Sequence, residues 1–161
     1  MTRTGYITNA PEAPARSPAK PPAWLNAIMR GLLRSPLSRL VDRGIMPLSV
    51  TGRRTGRRYT FPVQYVQDSR TLWVMSSGSN DKLWWRNLVE GAPVDMVLRR
   101  RPLKGHAHAV TYAADPSVVK AGLRRYMDRF PSFAKRFGLA DADPAAFDGF
   151  ARGTVMVRIQ T

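Results

Sequence analysis

Tyr59, Phe61, Val63 and Tyr65 alternate with Thr60, Pro62 and Gln64. This period of two constrains the fold more than any other feature of the chain. It is the pattern of a half-buried strand, because a helix cannot gather such a set on one face. Pro62 has no N–H to give a ladder, so a sheet edge or a bulge is expected there. Similar short segments recur. Ile45–Val50 reads as a strand ending at Thr51-Gly52, and Thr71–Ser76 as a buried strand entered through the Asp68-Ser69 turn. Val94–Arg99 and Leu103–Tyr112 read as two strands linked by a basic turn. Gly153–Gln160, with Val155, Val157 and Ile159 alternating, reads as the closing strand. Short, mostly antiparallel strands at hairpin spacing point to a small barrel rather than a parallel sheet.

Helices are expected between the strands. Asp81 and Gly91 bracket one that carries Leu83, Trp84, Asn87 and Leu88. Asp115-Pro116 opens another, with Val119, Leu123, Tyr126, Met127 and Phe130 on one stripe, and Asp143-Pro144 opens a short one. Upstream, Trp24, Leu25, Ile28, Met29, Leu32 and Leu33 recur at helical spacing, and Ser35-Pro36 starts a second short helix. Arg30, Arg34, Arg39 and Arg43 make this hairpin basic. Packing on the domain is the expectation for it, with contact to a membrane surface as the alternative. Residues 1–22 hold five prolines and little to bury, as a disordered arm does. The expected organisation is therefore an arm at 1–22, basic amphipathic helices at 23–43 and a barrel domain at 44–161.

The charge balance asks for an anionic partner. Lys and Arg number 26 against 11 acids, a net charge of +15, and only five of the cations are lysine. Arginine favours forked hydrogen bonds to phosphate or carboxylate. Nucleic acid, an anionic membrane and a polyanionic small molecule all fit this balance. The chain has no cysteine, which excludes disulfides, thiolate metal sites and cysteine nucleophiles. No segment approaches the roughly 20 apolar residues that a membrane span needs. A soluble cytoplasmic protein is expected, attached to a membrane surface at most.

Three clusters could carry chemistry. Thr51-Gly52-Arg53-Arg54-Thr55-Gly56-Arg57-Arg58 combines turn glycines with four arginines. It reads as an anion clamp, with Arg53, Arg54, Thr55 and Arg58 as its donors, or as a solvated basic turn. Ser76-Ser77-Gly78-Ser79-Asn80 ends a strand and runs toward a helix, a corner that can cradle an anion or simply form a capped loop. Trp84-Trp85-Arg86-Asn87 sends adjacent indoles to different sides, one for the core and the other free to wall a planar ligand. His106 and His108 share a strand face but lack an evident third ligand, so no metal is expected. There is no G-x-G-x-x-G after a strand and no Walker A sequence. The scattered carboxylates give acid–base hydrolysis little support, and no catalytic side chain is named.

Taken together, VTGRRTGRRYTFPVQYV, LWVMSSGSNDKLWWRNL and GAPVDMVLRRRPLKGHA resemble the deazaflavin-dependent nitroreductase and quinone-reductase family of actinobacteria. The resemblance spans roughly residues 45–160. It implies a split β-barrel like that of flavin-binding, pyridoxamine-phosphate-oxidase-like proteins, mainly β with added helices. It also implies a reduced deazaflavin coenzyme (F-420) with an anionic oligoglutamate tail, passing hydride to quinone, nitro or enone acceptors. By position, Arg54 meets the tail, while Pro62, Val63 and Gln64 run along the ring. Ser76 and Ser77 form the phosphate corner, which Leu83, Trp84 and Asn87 close. The chain departs from better-known members in three places. Gly78 stands where they carry lysine, with Lys82 as the candidate substitute, and Tyr59 replaces a cation. Phe130 and Phe133 replace tyrosines lining the substrate cleft, which disfavours nitroimidazole reduction. The rival readings are an FMN- or haem-binding barrel and a non-enzymatic basic module on lipid or nucleic acid; the resemblance argues against nucleic acid.

Overall fold

Alternation along each strand sorts the side chains into two cores. The computed structural model describes residues 44–77 and 83–161. The arm expected at 1–22, the helices expected at 23–43, the Asp81 cap and Lys82 lie outside the described residues. Six strands form: β1 (Ile45–Thr51), β2 (Arg58–Asp68), β3 (Thr71–Ser77), β4 (Ala92–Leu98), β5 (Arg101–Thr111) and β6 (Thr154–Gln160). They close a barrel in the order β1-β2-β3-β6-β5-β4, with every pairing antiparallel. Met46, Leu48, Val63, Tyr65, Leu72, Val74, Met96, Val157 and Ile159 point inward and fill the barrel. Val66, Trp73, Val110 and Met156 point outward, where the helices cover them.

Among the described residues the α-helices are α1 (Pro116–Arg129), α2 (Pro131–Arg136) and α3 (Pro144–Arg152). Asp115 caps α1 by accepting from the Ser117 and Val118 amides, and Asp143 caps α3 through the Ala146 amide. Val119, Leu123 and Tyr126 form the buried stripe of α1. Gly122 lets that helix lie close on β6, since a Cβ there would stand 2.7 Å from Met156 Cγ. Phe130, expected on the stripe, instead ends the helix, and its N–H bonds the Tyr126 carbonyl at 2.8 Å. Pro131 is the reason, because a residue before proline is driven out of the helical region. The extra helix α2 starts at that proline.

One further expectation changes in the fold. The segment before Gly91 is a six-residue 3-10 helix, Leu83–Leu88, rather than an α-helix. Asn87 Nδ2 bonds the Trp84 carbonyl at 3.0 Å and so takes the acceptor that an α-helix would offer Leu88. The edge expected at Pro62 is local: β2 belongs to a closed barrel, yet the strand is open beside the proline. β2 pairs with β1 along its length from Arg58 to Gln64, whereas β2 and β3 pair only between Tyr65 and Asp68. Among the described residues, 58–64 of β2 therefore have a strand on one side only. Pro47 lies opposite Pro62 across β1, a pair in which neither residue owes the other an N–H. The barrel is split at this point.

Candidate functional site

The split opens into a cleft. Its volume is about 550 Å³, and Phe61, Pro62, Val63, Gln64, Met75, Ser76, Trp84, Tyr126, Phe133, Arg136 and Phe137 line it. Next to it lies a second pocket of about 480 Å³, lined by Gly52, Arg53, Arg54, Thr55, Tyr59, Leu83, Trp84, Arg86 and Asn87. Trp84 walls both. The two pockets thus adjoin at one indole, with an arginine-rich turn on one side and a chamber of mixed aromatic and polar lining on the other.

The turn that carries the arginines is tight. Gly52 N–H bonds the Arg57 carbonyl at 2.7 Å, and Gly56 N–H bonds the Gly52 carbonyl at 2.8 Å. Gly56 has a φ of +65°, which costs an L side chain energy that glycine does not pay. Asn87 pins this turn to the 3-10 helix: its Oδ1 accepts from the Arg53 amide at 3.0 Å while its Nδ2 donates to the Trp84 carbonyl. Arg53 also pairs with Glu90 at 3.2 Å. Arg54 is exposed, and its guanidinium has no hydrogen bond or ion pair among the described residues. Arg86 adds a third cation, with its guanidinium carbon 5.6 Å from the Trp85 ring centroid. The pocket therefore gathers three cations, of which Arg53 is paired with Glu90 and Arg54 with none of the described residues.

In the cleft, Phe61 and Trp84 pack at 5.1 Å between ring centroids, tilted by 59°. Phe133 stands opposite within an aromatic cluster, 4.8 Å from Phe137 and 6.1 Å from Phe150. Phe137 stays 44% exposed at the rim, unusual for so large an apolar side chain. The Tyr126 hydroxyl donates to the Gln64 carbonyl at 2.6 Å and accepts from the Met75 amide at 2.9 Å. Burial pushes this phenol well above its ordinary range, so it keeps its proton. Ser76 is buried, yet its hydroxyl has no partner among the described residues. An unsatisfied buried hydroxyl costs about 1–3 kcal/mol, so this group favours a polar partner.

The structure brings together most of the residues singled out in the sequence. Arg53, Arg54, Thr55, Leu83, Trp84 and Asn87 share the turn pocket, and Pro62, Val63, Gln64, Ser76, Trp84 and Phe133 share the cleft. Ser77 ends β3 directly after Ser76. Arg58 and Phe130 line neither pocket. Arg58 forms an ion pair with Asp95 on β4, and Phe130 packs on Tyr126 with centroids 5.8 Å apart. His106 and His108 are exposed on β5, and the described residues contain no group of three or more potential metal ligands. Sequence reasoning missed Phe61, Met75, Arg86, Tyr126, Arg136 and Phe137 as lining residues. Arg136 and Phe137 follow Phe133 at helical spacing, a signal that α2 would have exposed had it been foreseen.

An antiparallel six-stranded barrel opened between two strands, with a ligand-sized groove at the opening, is a split β-barrel. Solved structures agree on the fold. One described as an F-420-H2 dependent reductase superposes with a TM-score of 0.51 at 14% identity, covering 73% of this chain and 95% of its own. Another, described as a domain-swapped dimer, gives 0.51 at 15% identity, covering 86% and 98%. No protein of curated function matches the chain. The sequence pattern of the F-420H(2)-dependent quinone reductases matches residues 35–136, and the chain belongs to that family of deazaflavin-dependent oxidoreductases.

Proposed function

We propose that the groove binds a reduced deazaflavin coenzyme and that hydride passes from it to a small quinone-type acceptor in the cleft. One observation carries the reading: a cationic pocket and an aromatic-walled split cleft meet at Trp84. A planar ring joined to a long anionic tail has this division of character. When bound, the coenzyme supplies the hydride. The rest is the work of the chain. Arg53, Arg54 and Thr55 bind the tail, and Arg86 adds field. Pro62, Val63 and Gln64 present a backbone edge to the ring, and the Ser76 hydroxyl offers it a hydrogen bond. Ser77 extends that corner, with Lys82 proposed beside it. Leu83 and Trp84 close the groove over the ligand, and Asn87 holds the turn in place. Phe133 and Phe137 exclude water from the acceptor side, with Phe130 behind them.

Calorimetry with the reduced coenzyme and with FMN tests the cofactor. Tighter binding of the deazaflavin is expected, since FMN lacks the long tail that the arginine turn suits; equal or tighter FMN binding overturns the assignment. In the same preparation, Phe133→Ala should raise KM for a simple naphthoquinone while leaving coenzyme affinity nearly unchanged. Should only thermal stability respond, Phe133 is core and the acceptor lies elsewhere.

A further inference from the structure

We propose that Tyr126 is a positioning residue whose hydroxyl, inserted between β2 and β3, sets the width of the split and so shapes the seat of the ring. The inference rests on reading this cleft as the deazaflavin site. The β2–β3 ladder runs from Asp68↔Thr71 to Tyr65↔Val74 and stops. The next pair in register is Gln64 opposite Met75. Tyr65 N–H bonds the Gly44 carbonyl at 2.8 Å, on the β1 side. By the alternation of antiparallel strands, the polar backbone atoms of Gln64 then turn toward β3. In a continued ladder the Met75 amide would donate straight to the Gln64 carbonyl. Here the Tyr126 hydroxyl stands between them, accepting from Met75 N at 2.9 Å and donating to Gln64 O at 2.6 Å, with Trp73 O at 3.1 Å.

The wedge is held from behind. Tyr126 is 1% exposed, and it sits on α1 with Val119 and Leu123 in the outer core. Two residues further along β2, Pro62 has no N–H with which the ladder could resume. One hydroxyl and one proline thus keep the two strands apart where the cleft begins. A phenylalanine ring at 126 fills the same core space but supplies neither donor nor acceptor. The Gln64 carbonyl and Met75 amide are then left unpaired unless the strands close on each other, which narrows the seat.

The test compares Tyr126→Phe with Leu123→Ala, a truncation in the outer core on the same helix that removes no hydrogen-bonding group. Reduced coenzyme is titrated at a temperature where both variants are folded. Tyr126→Phe should weaken binding about tenfold or more, on the order of one lost hydrogen-bonded position. Leu123→Ala should melt lower yet bind within about threefold of wild type. Without ligand, cross-strand backbone NOEs between Gln64 and Met75 should appear in Tyr126→Phe and be absent from wild type. If wild type binds and Tyr126→Phe binds as well as Leu123→Ala does, the inference is overturned. If wild type does not bind the coenzyme, the functional reading fails, and the NOEs alone decide the wedge: their appearance supports it and their absence overturns it.

Discussion

Replacing Asn87 with alanine separates two roles that a site asparagine can play. Its amide makes two hydrogen bonds at 3.0 Å, one from the Arg53 backbone and one to the Trp84 carbonyl. Each such bond contributes about 0.5–1.5 kcal/mol net. Arg53 is exposed, so water can replace one partner, and a total loss of about 1–2 kcal/mol follows. For a domain of this size that shifts Tm by roughly 3–10 °C. The loss falls on the tether between the arginine turn and the 3-10 helix, so the turn pocket loosens and coenzyme affinity falls as a consequence. Asn87→Asp keeps the acceptor for the Arg53 amide but loses the donor to Trp84, and it places a negative charge among Arg53, Arg54 and Arg86. It should keep part of the stability and bind an anionic tail worse than alanine does. Scanning calorimetry and coenzyme titration on the same samples read both effects. The tether argument is refuted if Asn87→Ala keeps the wild-type Tm while binding is abolished, because the amide then contacts the ligand directly.

Arg54→Ala should weaken the coenzyme about tenfold to a hundredfold, the worth of one charge-assisted contact, flatten the salt dependence of binding and leave Tm unchanged. Arg54→Lys should recover only part, since a point charge lacks the fork, and unchanged titrations at low and high salt would sink the clamp. Asp148 anchors α3 to α1 and to the turn after β5 by accepting from Lys120 at 2.5 Å, Tyr112 at 2.5 Å and Arg152 at 2.9 Å. The Lys120 contact first, then Tyr112 and Arg152, hold its carboxyl down at about 2 against an ordinary 3.8. A depressed carboxylate stabilises the fold above its unfolded pKa, and that contribution is lost as pH falls through the folded value. The Tm gap between wild type and Asp148→Asn should therefore be full at pH 6 and shrink between about pH 4 and pH 2; a gap that does not change with pH removes the carboxylate from the account.

Much of the barrel was legible because a half-buried strand writes its geometry into local alternation. Tyr59 to Tyr65 and Val155 to Ile159 specify strands whatever they pair with, and Asp115-Pro116 and Asp143-Pro144 specify helix starts through local capping. The arginine turn, the serine corner and Trp84 were legible as types, and the family resemblance put them on one ligand. Their separate fates were decided by tertiary structure. Arg53 and Arg54 are neighbours in sequence and both line the turn pocket, yet one is tied to Asn87 and Glu90 while the guanidinium of the other bonds none of the described residues. Arg58 looked like its neighbours and is drawn away by Asp95, 37 residues distant. Sequence alone shows that Pro62 interrupts a ladder, but not that the barrel closes around the interruption and opens there. That depends on which backbone edge faces which, and on a hydroxyl arriving from α1, 62 residues beyond the carbonyl it caps. Local patterns carry the free energy of single elements, whereas a cleft is made where elements distant in sequence fail to meet, and only the assembled fold determines where that is.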